Sequence, residues 1–260
     1  MSAPIPTPNP PPDLKARLKE SYNAIAEAYK DWTALHNVLR THYTEELCRF
    51  LRRDRSRTTN GGGTPPPPGE AGISLARLHA LELGCGCGIP VIEMLLAKEM
   101  DVIGVDLSSA QVQLTKNHFP TQIQNTQLVV VEKDIMDLTY PPDEFDVVVA
   151  LYSLIHLPRD EQRVIMERVQ RWLKPGGMIL MNFSTTEMEG EVVESWLEQD
   201  GGWMYWSAWG KEKTLEMIRE LNFNVLLEEV KEDEGTDASF VWVIAQKTGP
   251  PAEFAPFEEP

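Results

Sequence analysis

The sequence predicts a doubly wound α/β fold: one open, mostly parallel sheet with helices on both faces. Three observations carry this. Short runs of Val, Ile and Leu, "HALEL" (79–83), "DVIGVDL" (101–107), "QLVVVEKD" (127–134), "EFDVVVALY" (144–152) and "MILMNF" (178–183), alternate with segments of helical periodicity. Strands apolar on both faces are the kind a parallel sheet buries between two helix layers. A glycine cluster directly follows the first run and precedes a helix, where such sheets place a ligand-binding turn. Finally, "FNVLLEEV" and "SFVWVIAQK" are joined only by "KEDEGTDA", too short for a crossover helix, so the last two strands pair antiparallel.

Taken in order, residues 1–12 are half proline and read as a disordered or polyproline tail. From Leu14 a helical stripe runs through Leu18, Tyr22, Ile25, Tyr29 and Trp32 at spacings of three and four. A second runs through Leu35, Leu39, Tyr43, Leu47 and Leu51, so two helices are expected before the glycines. "RDRSRTTNGGGTPPPPGEAG" (53–72) cannot bury a core. It reads as a disordered loop insertion rather than a domain linker, because two helices alone make a poor domain. One domain is therefore expected over 13–248, ahead of a disordered acidic tail at 249–260.

"PVIEMLLAKEM" is a helix with Pro90 in its first turn, and Ser108 or Ser109 caps a helix through Leu114 and Asn117. In "RDEQRVIMERVQRWLKPGG", Ile165, Val169, Trp172 and Leu173 share a helical face, and the terminal "PGG" stops the helix. Another helix near 211–221 precedes the final two strands.

Composition narrows the partners. Forty acidic residues against twenty-four Lys and Arg give a formal charge of −16, which repels phosphate backbones and anionic lipid. Arg49, Arg52, Arg53, Arg55 and Arg57 form the one candidate basic patch, better explained as a solvated helix end running into a loop. No run approaches the ~18 apolar residues of a membrane helix, and "MSAPIPTPNPPPD" has neither the basic nor the apolar region of a signal peptide. Cys48, Cys85 and Cys87 offer no disulfide framework. A cytoplasmic protein without nucleic-acid or membrane partners is expected. There is no metal-binding spacing among the five histidines and three cysteines.

"LELGCGCGIP" (81–90) packs three glycines into five positions. Bare backbone at a strand end permits close approach of a ligand, and unpaired N–H groups there can donate to it. The spacing fits neither the dinucleotide G-x-G-x-x-G pattern nor a nucleotide-triphosphate loop. A ligand-free tight turn is the alternative. Asp106 closes the second strand about twenty residues on, where a carboxylate accepts both hydroxyls of a ribose or else caps a helix. Asp134 closes the third, where it either accepts from an adenine amino group or caps a turn. Together these strand ends suggest an adenosine cleft.

"ALELGCGCG", "VIGVDLS", "VVEKDIMDL", "FDVVVALYSLIHLP" and "LKPGGMILMNF" resemble, in order and spacing, the motifs of class I S-adenosylmethionine-dependent methyltransferases, over roughly residues 14–247. The resemblance implies a Rossmann-like seven-strand sheet with its last strand antiparallel and an N-terminal helical lid. It implies S-adenosyl-L-methionine as cofactor, with Gly84, Cys85 and Gly86 at its methionine part and Asp106 and Leu107 at the ribose. Asp134 and Ile135 would flank the adenine, and Leu151 would lie beneath the sulfonium. "SYNAIAEAYKDW" resembles the family's lid, so Tyr22, Tyr29 or Trp32 would close over the cofactor; plain core packing is the alternative for that stripe. The glycine- and proline-rich insertion and the cysteines within the glycine turn depart from the family pattern.

A sulfonium methyl is already electrophilic, so the protein must align a nucleophile and exclude water. His156 in "SLIHLP" is the best-placed base, with a pocket-wall contact or a packed structural histidine as alternatives. Trp203, Tyr205, Trp206 and Trp209 crowd seven positions beside flexible glycines. They either wall an acceptor pocket suited to a flat, hydrophobic or cationic molecule or plug the sheet end. The expected activity is methyl transfer to O, N or S of a small-molecule acceptor. The competing readings are a cofactor-binding protein that does not methylate, a protein methyltransferase and, least favoured by the glycine spacing, a nicotinamide oxidoreductase.

Overall fold

The structure, a computed structural model, describes residues 5–6, 9–59, 77–233 and 236–249. Most of the expected insertion (53–72) and of the expected C-terminal tail (249–260) lies outside the described residues. In chain order the elements are β1 (Ile5–Pro6), α1 (Leu14–Ala24), α2 (Ala26–Leu35), α3 (Val38–Thr59), β2 (His79–Leu83), α4 (Val91–Ala97), β3 (Asp101–Asp106), α5 (Ser109–His118), α6 (Pro120–Gln124), β4 (Leu128–Glu132), β5 (Phe145–Ala150), α7 (Arg159–Trp172), β6 (Leu173–Ser184), β7 (Glu187–Val193), β8 (Met204–Trp209), α8 (Lys211–Glu220), β9 (Phe223–Glu232) and β10 (Ser239–Lys247).

The main sheet has seven strands in the order β4-β3-β2-β5-β6-β10-β9. β4 to β6 are parallel, and β10 runs antiparallel to both neighbours, as its short connection to β9 requires. Alternation along the strands splits the core in two. Leu81, Leu83, Val148, Ile179, Met181 and Val243 pack with Ile165, Val169 and Trp172 of α7 and with Leu215 and Ile218 of α8. Ala80, Val147, Val149, Leu180 and Trp242 pack on the other side with Tyr43 and Leu47 of α3 and with Ile92 and Leu95 of α4. This is the doubly wound arrangement the apolar runs demand. Full burial of each such side chain contributes about 1.5–3 kcal/mol, and Tyr43 stacks on Trp242 at 4.4 Å.

The structure departs from the sequence reading in four places. The stripe Leu14 to Trp32 is two helices, not one, because the backbone leaves helical geometry at Ile25 (φ −102°, ψ 9°). Ile25 is thereby buried in a small core with Leu14 and Leu18. α3 continues to Thr59, into the stretch expected as loop. α7 ends at Trp172 without help from "PGG", since Leu173–Ser184 is already strand β6. Finally, a second, three-stranded antiparallel sheet, β1-β7-β8, lies outside the main one. β1 comes from the proline-rich stretch, where Ile5 and Pro6 pair with Val192 and Glu191.

Candidate active site

The strand order reverses between β2 and β5: the chain moves outward from β2 to β3 and β4, then returns to β5 on the other side. Ligands of open α/β sheets bind outside the carboxyl ends of strands at such a switch. A cleft of about 990 Å³, its mouth included, opens there. It is lined by Gly84, Cys85 and Gly86 after β2, Asp106 and Leu107 at the end of β3, Asp134 and Ile135 after β4, and Leu151 after β5. Tyr22 and Tyr29 close it from α1 and α2, and His156 lies on the same wall.

The glycines serve the protein's own backbone more than expected. Gly84, Gly86 and Gly88 all have positive φ (77°, 54° and 80°). A Cβ on Gly84 would stand 2.5 Å from the Cβ of Ser153 across the switch, and one on Gly88 2.8 Å from the Phe119 ring. A Cβ on Gly86 would meet only Gln111 Oε1, at 3.8 Å, so this is the glycine that keeps cavity space clear. The expectation of unpaired N–H groups is corrected. The amides of Gly84 and Cys85 donate to the Val105 carbonyl at 2.8 and 2.9 Å, and that of Gly88 to the Cys85 carbonyl at 2.9 Å. Gly86 N–H donates to Asp106 Oδ2 at 2.8 Å. A tight strand-to-helix turn satisfies its own donors, leaving side chains to meet a ligand.

Asp106 also accepts from Ser108 N–H on Oδ1 at 2.8 Å. Each oxygen retains a lone pair, and burial raises the carboxyl to about 6 against the opposing pull of these amides. Ser108, not Ser109, caps α5 through Gln111 N–H. Asp134 accepts from Met136 N–H at 2.9 Å and lies 3.5 Å from the Lys15 ammonium. Its capping role and its place on the cleft wall therefore coexist. Glu82 is buried, with no partner for Oε2 among the described residues, and burial pushes its carboxyl well above the usual range. Gln111 and Ser153 bring further unpartnered polar atoms to the cleft. Burial likewise raises the Cys85 thiol, and no group of three or more His, Cys, Asp or Glu able to hold a metal occurs among the described residues.

A second cavity of about 1480 Å³ adjoins the first. The two share Tyr22, Tyr29, Arg40, Tyr152 and His156. At this common wall His156 Nδ1–H donates to the Tyr205 carbonyl at 2.8 Å, and Tyr22 O–H donates to Nε2 at 2.8 Å. A carbonyl can only accept, so the imidazole is the Nδ1–H tautomer and Tyr22 is the donor. Burial lowers His156 to about 4 and raises the Tyr22 phenol. Both ring nitrogens of His156 are therefore engaged, and the Tyr22 oxygen is the atom of this pair that keeps lone pairs free to accept. Tyr152 holds a left-handed backbone (φ 54°), with its N–H on Asn182 Oδ1 at 2.7 Å. The Arg40 guanidinium lies over its ring at 4.2 Å.

Two groups of expected site residues are redistributed. Trp32 lines the second cavity, not the cleft. Of the aromatic quartet Trp206 lines the second cavity, and Trp209 lines a separate surface pocket with Asp160 and Lys213. Along β8 the side chains of 204, 206 and 208 share one face, so Tyr205 and Trp209 turn away from Trp206. Trp203 is buried with Leu14 and Leu18 beneath the Arg17 guanidinium, 4.0 Å away. Tyr205 is fully buried, and Trp209 donates to the Arg159 carbonyl. Glu82, Arg40, Tyr152 and Trp196 escaped the sequence reading; the Glu in "LELG" was the one visible signal, a carboxylate inside an otherwise apolar strand.

The seven-stranded sheet has this order with a cleft at the switch, and residues 80–177 match a family model described as a methyltransferase domain. Among its relatives is the 27-O-demethylrifamycin SV methyltransferase of Amycolatopsis mediterranei, 38% identical over 101 residues, covering 39% of this chain and 36% of that one. The chain spans no more than about half the length of the first curated relatives it matches (36%, 48% and 39%). By fold it is similar to the Burkholderia thailandensis 1,6-didemethyltoxoflavin-N1-methyltransferase, solved with 1,6-didemethyltoxoflavin and S-adenosylhomocysteine, at TM-score 0.67, 15% identity and 95% coverage of both chains. It is also similar to the Synechocystis magnesium protoporphyrin IX methyltransferase, solved with S-adenosylmethionine, at TM-score 0.60, 14% identity and coverage of 92% and 100%.

Proposed function

We propose that this chain transfers the methyl group of S-adenosylmethionine to a small-molecule acceptor. The observation that carries the reading is the shared wall: two cavities, one at the sheet's switch point, meet at Tyr22, Tyr29, Arg40, Tyr152 and His156. The residues of the first cavity fit the cofactor. Asp106 offers two lone pairs to a ribose, while Asp134 and Ile135 flank an adenine site. Gly84, Cys85 and Gly86 border its amino-acid part, and Leu107 and Leu151 supply apolar floor. Glu82 and Arg40, a carboxyl and a guanidinium on one cleft, suit the ammonium and carboxylate of an amino-acid tail. The unpartnered Glu82 Oε2 is a vacancy of the right chemistry. When bound, the cofactor supplies an electrophilic methyl on a sulfonium.

The chain's own residues then align the acceptor and manage its proton. Tyr22 accepts a proton from the acceptor on its phenol oxygen while donating its own to His156 Nε2. With His156 near 4, removing a proton from a phenol of pKa about 10 before attack would cost about 8 kcal/mol. The proton therefore leaves as or after the new bond forms. Tyr29 over the first cavity and Trp206 in the second exclude water from the path.

A cytoplasmic enzyme with one domain over 13–248 and no nucleic-acid or membrane partner completes the reading. It is supported by the formal charge of −16, by three free, buried cysteines, and by the lack of any helix long and apolar enough to cross a membrane among the described residues. The test is calorimetric titration with S-adenosylhomocysteine, followed by a labelled-methyl screen of nucleophilic metabolites read by mass spectrometry. Folded protein that binds no S-adenosylhomocysteine overturns the reading.

A further inference from the structure

The second cavity carries a chemical signature of its own. Tyr29 and Trp32 stack at 6.1 Å with an interplanar angle of 18°. Trp196 stands 5.4 Å from Tyr29, 5.8 Å from Trp32 and 6.3 Å from Trp206, tilted or edge-on to each. Four rings from three distant segments thus face one space. Trp196 is held there by a tight turn: its N–H donates to the Gly202 carbonyl at 2.6 Å. A Cβ on Gly202 would fall 2.4 Å from the Trp196 carbonyl oxygen, which is why a glycine occupies that position.

Aromatic walls alone accept either flat neutral rings or cations. The charged groups decide between them. Glu191, Asp233 and Asp237 line the same cavity, against Arg40 alone. Arg40 is itself buried, donates to the His36 carbonyl at 3.0 Å and lies over the Tyr152 ring. Glu191 and Asp237 form no ion pair among the described residues. Asp233 accepts from Tyr152 O–H at 2.6 Å and from Thr236 O–H at 3.2 Å, keeping further lone pairs. Ring faces carry negative quadrupole charge, so aromatic walls and carboxylates favour the same occupant.

We propose that the second cavity binds a flat, positively charged nitrogen compound, and that the methyl acceptor belongs to this class, the methyl going to a separate neutral hydroxyl, amine or thiol of that compound whose proton passes to Tyr22. The second half of this statement rests on the methyltransferase reading above; the first half does not.

Binding is tested with N-methylquinolinium as probe, against its uncharged isostere 1-methylnaphthalene and the anion 2-naphthoate. Tryptophan fluorescence is followed with and without saturating S-adenosylhomocysteine. The expected result is affinity for the cation about tenfold or more above the isostere, with the anion weakest. Glu191→Gln should lower affinity for the cation several-fold and leave the isostere unchanged. Trp196→Ala should weaken both, and Trp196→Phe should restore part of the loss if the turn survives. Equal affinity for cation and isostere, or tightest binding of 2-naphthoate, overturns the proposal. S-adenosylhomocysteine titrated alone separates the two readings. If it binds while the cation shows no preference, this inference fails and the enzyme reading stands. If the carboxylate-dependent cation site is present but S-adenosylhomocysteine does not bind, the site stands and the acceptor assignment falls.

Discussion

Acidification should weaken cofactor binding through one carboxylate, and the size of the effect follows from its environment. Burial raises Asp106 from 3.8 to about 6. Hydroxyl donors of a ribose favour its charged form. At pH 7.5 the group is about 97% ionised and at pH 5.0 about 9%, so affinity for S-adenosylhomocysteine should fall about tenfold between them, or ~1.4 kcal/mol. At pH 6 Asp106 should contribute about half a proton to the release on binding, read as the part lost in Asp106→Asn by calorimetry in two buffers of different ionisation enthalpy. Melting temperature is the wrong assay. The raised Asp106 pKa contributes stability that is full below 3.8 and lost, to about 3 kcal/mol, as pH rises through 6. His156, lowered from 6.5 to about 4, has the opposite sign and a similar size: the unfolded chain takes up its proton first, so stability is lost as pH falls through that window. The two cancel in the empty protein and separate only in a binding measurement. Asp106→Asn should bind more weakly at pH 7.5 by about 1.5–3 kcal/mol and lose the pH slope. A dissociation constant unchanged from pH 7.5 to 5.0 would refute the argument, and a slope surviving in Asp106→Asn would transfer it to Glu82.

The glycines should divide by function. Gly84→Ala and Gly88→Ala, each strained in φ and in collision with Ser153 or Phe119, should cost about 2–4 kcal/mol in urea unfolding. Gly86→Ala should cost about 1 kcal/mol but weaken S-adenosylhomocysteine binding, because its methyl enters the cleft. Tyr22→Phe removes the hydroxyl between the cavities and should lower single-turnover methyl transfer about tenfold or more, with cofactor affinity within about threefold; an unchanged rate discards the proton path through Tyr22 and His156. Trp206→Ala should raise acceptor KM, whereas Trp203→Ala should lower stability by about 3–5 kcal/mol with KM unaffected; the reverse pattern would return Trp203 to the pocket wall.

Legibility followed the range of the forces involved. The main-sheet strands were readable because a buried parallel strand must be apolar on both faces whatever its neighbours, and β10 because a short connection leaves it no other direction. The cleft at the switch was readable for the same reason: strand ends converge by topology, so Gly86, Asp106 and Asp134 meet without knowledge of packing, and Leu151, which only the family resemblance implied, lines the same cleft. The break at Ile25 was hidden, since both halves of the stripe keep helical spacing and only the core around Leu14 and Leu18 shows where it bends. The division of the aromatic quartet was hidden: Tyr205, Trp206 and Trp209 look alike in composition, and the period of two in β8 sends them to opposite faces. Arg40, Glu191, Trp196 and Asp233 are separated by up to 193 positions and meet only because α3, β7, a turn and a strand end close round one space. No local pattern announces such a meeting.

The small second sheet sets the chemistry of the wall between the cavities. The Tyr205 carbonyl of β8 dictates that His156 carries its proton on Nδ1, and this tautomer dictates that Tyr22 donates to Nε2. Tyr22 rides on α1, which docks through Leu14 and Leu18 against Trp203, Met204 and Tyr205 and through a set of polar contacts. Asn23 Oδ1 accepts from Ser108 O–H, Ser109 O–H and Ala110 N–H at 2.7, 3.2 and 3.1 Å. Lys15 meets Glu161 and Lys19 meets Glu132, each at 2.5 Å. Partly exposed ion pairs of this kind contribute at most about 1 kcal/mol each, far less than the apolar faces that hold α7 or α4. The helix carrying Tyr22 is thus held by a small apolar core and by these polar contacts together. Because Tyr22 both lines the cleft and bonds His156, any displacement of α1 would widen the cleft and break that hydrogen bond together.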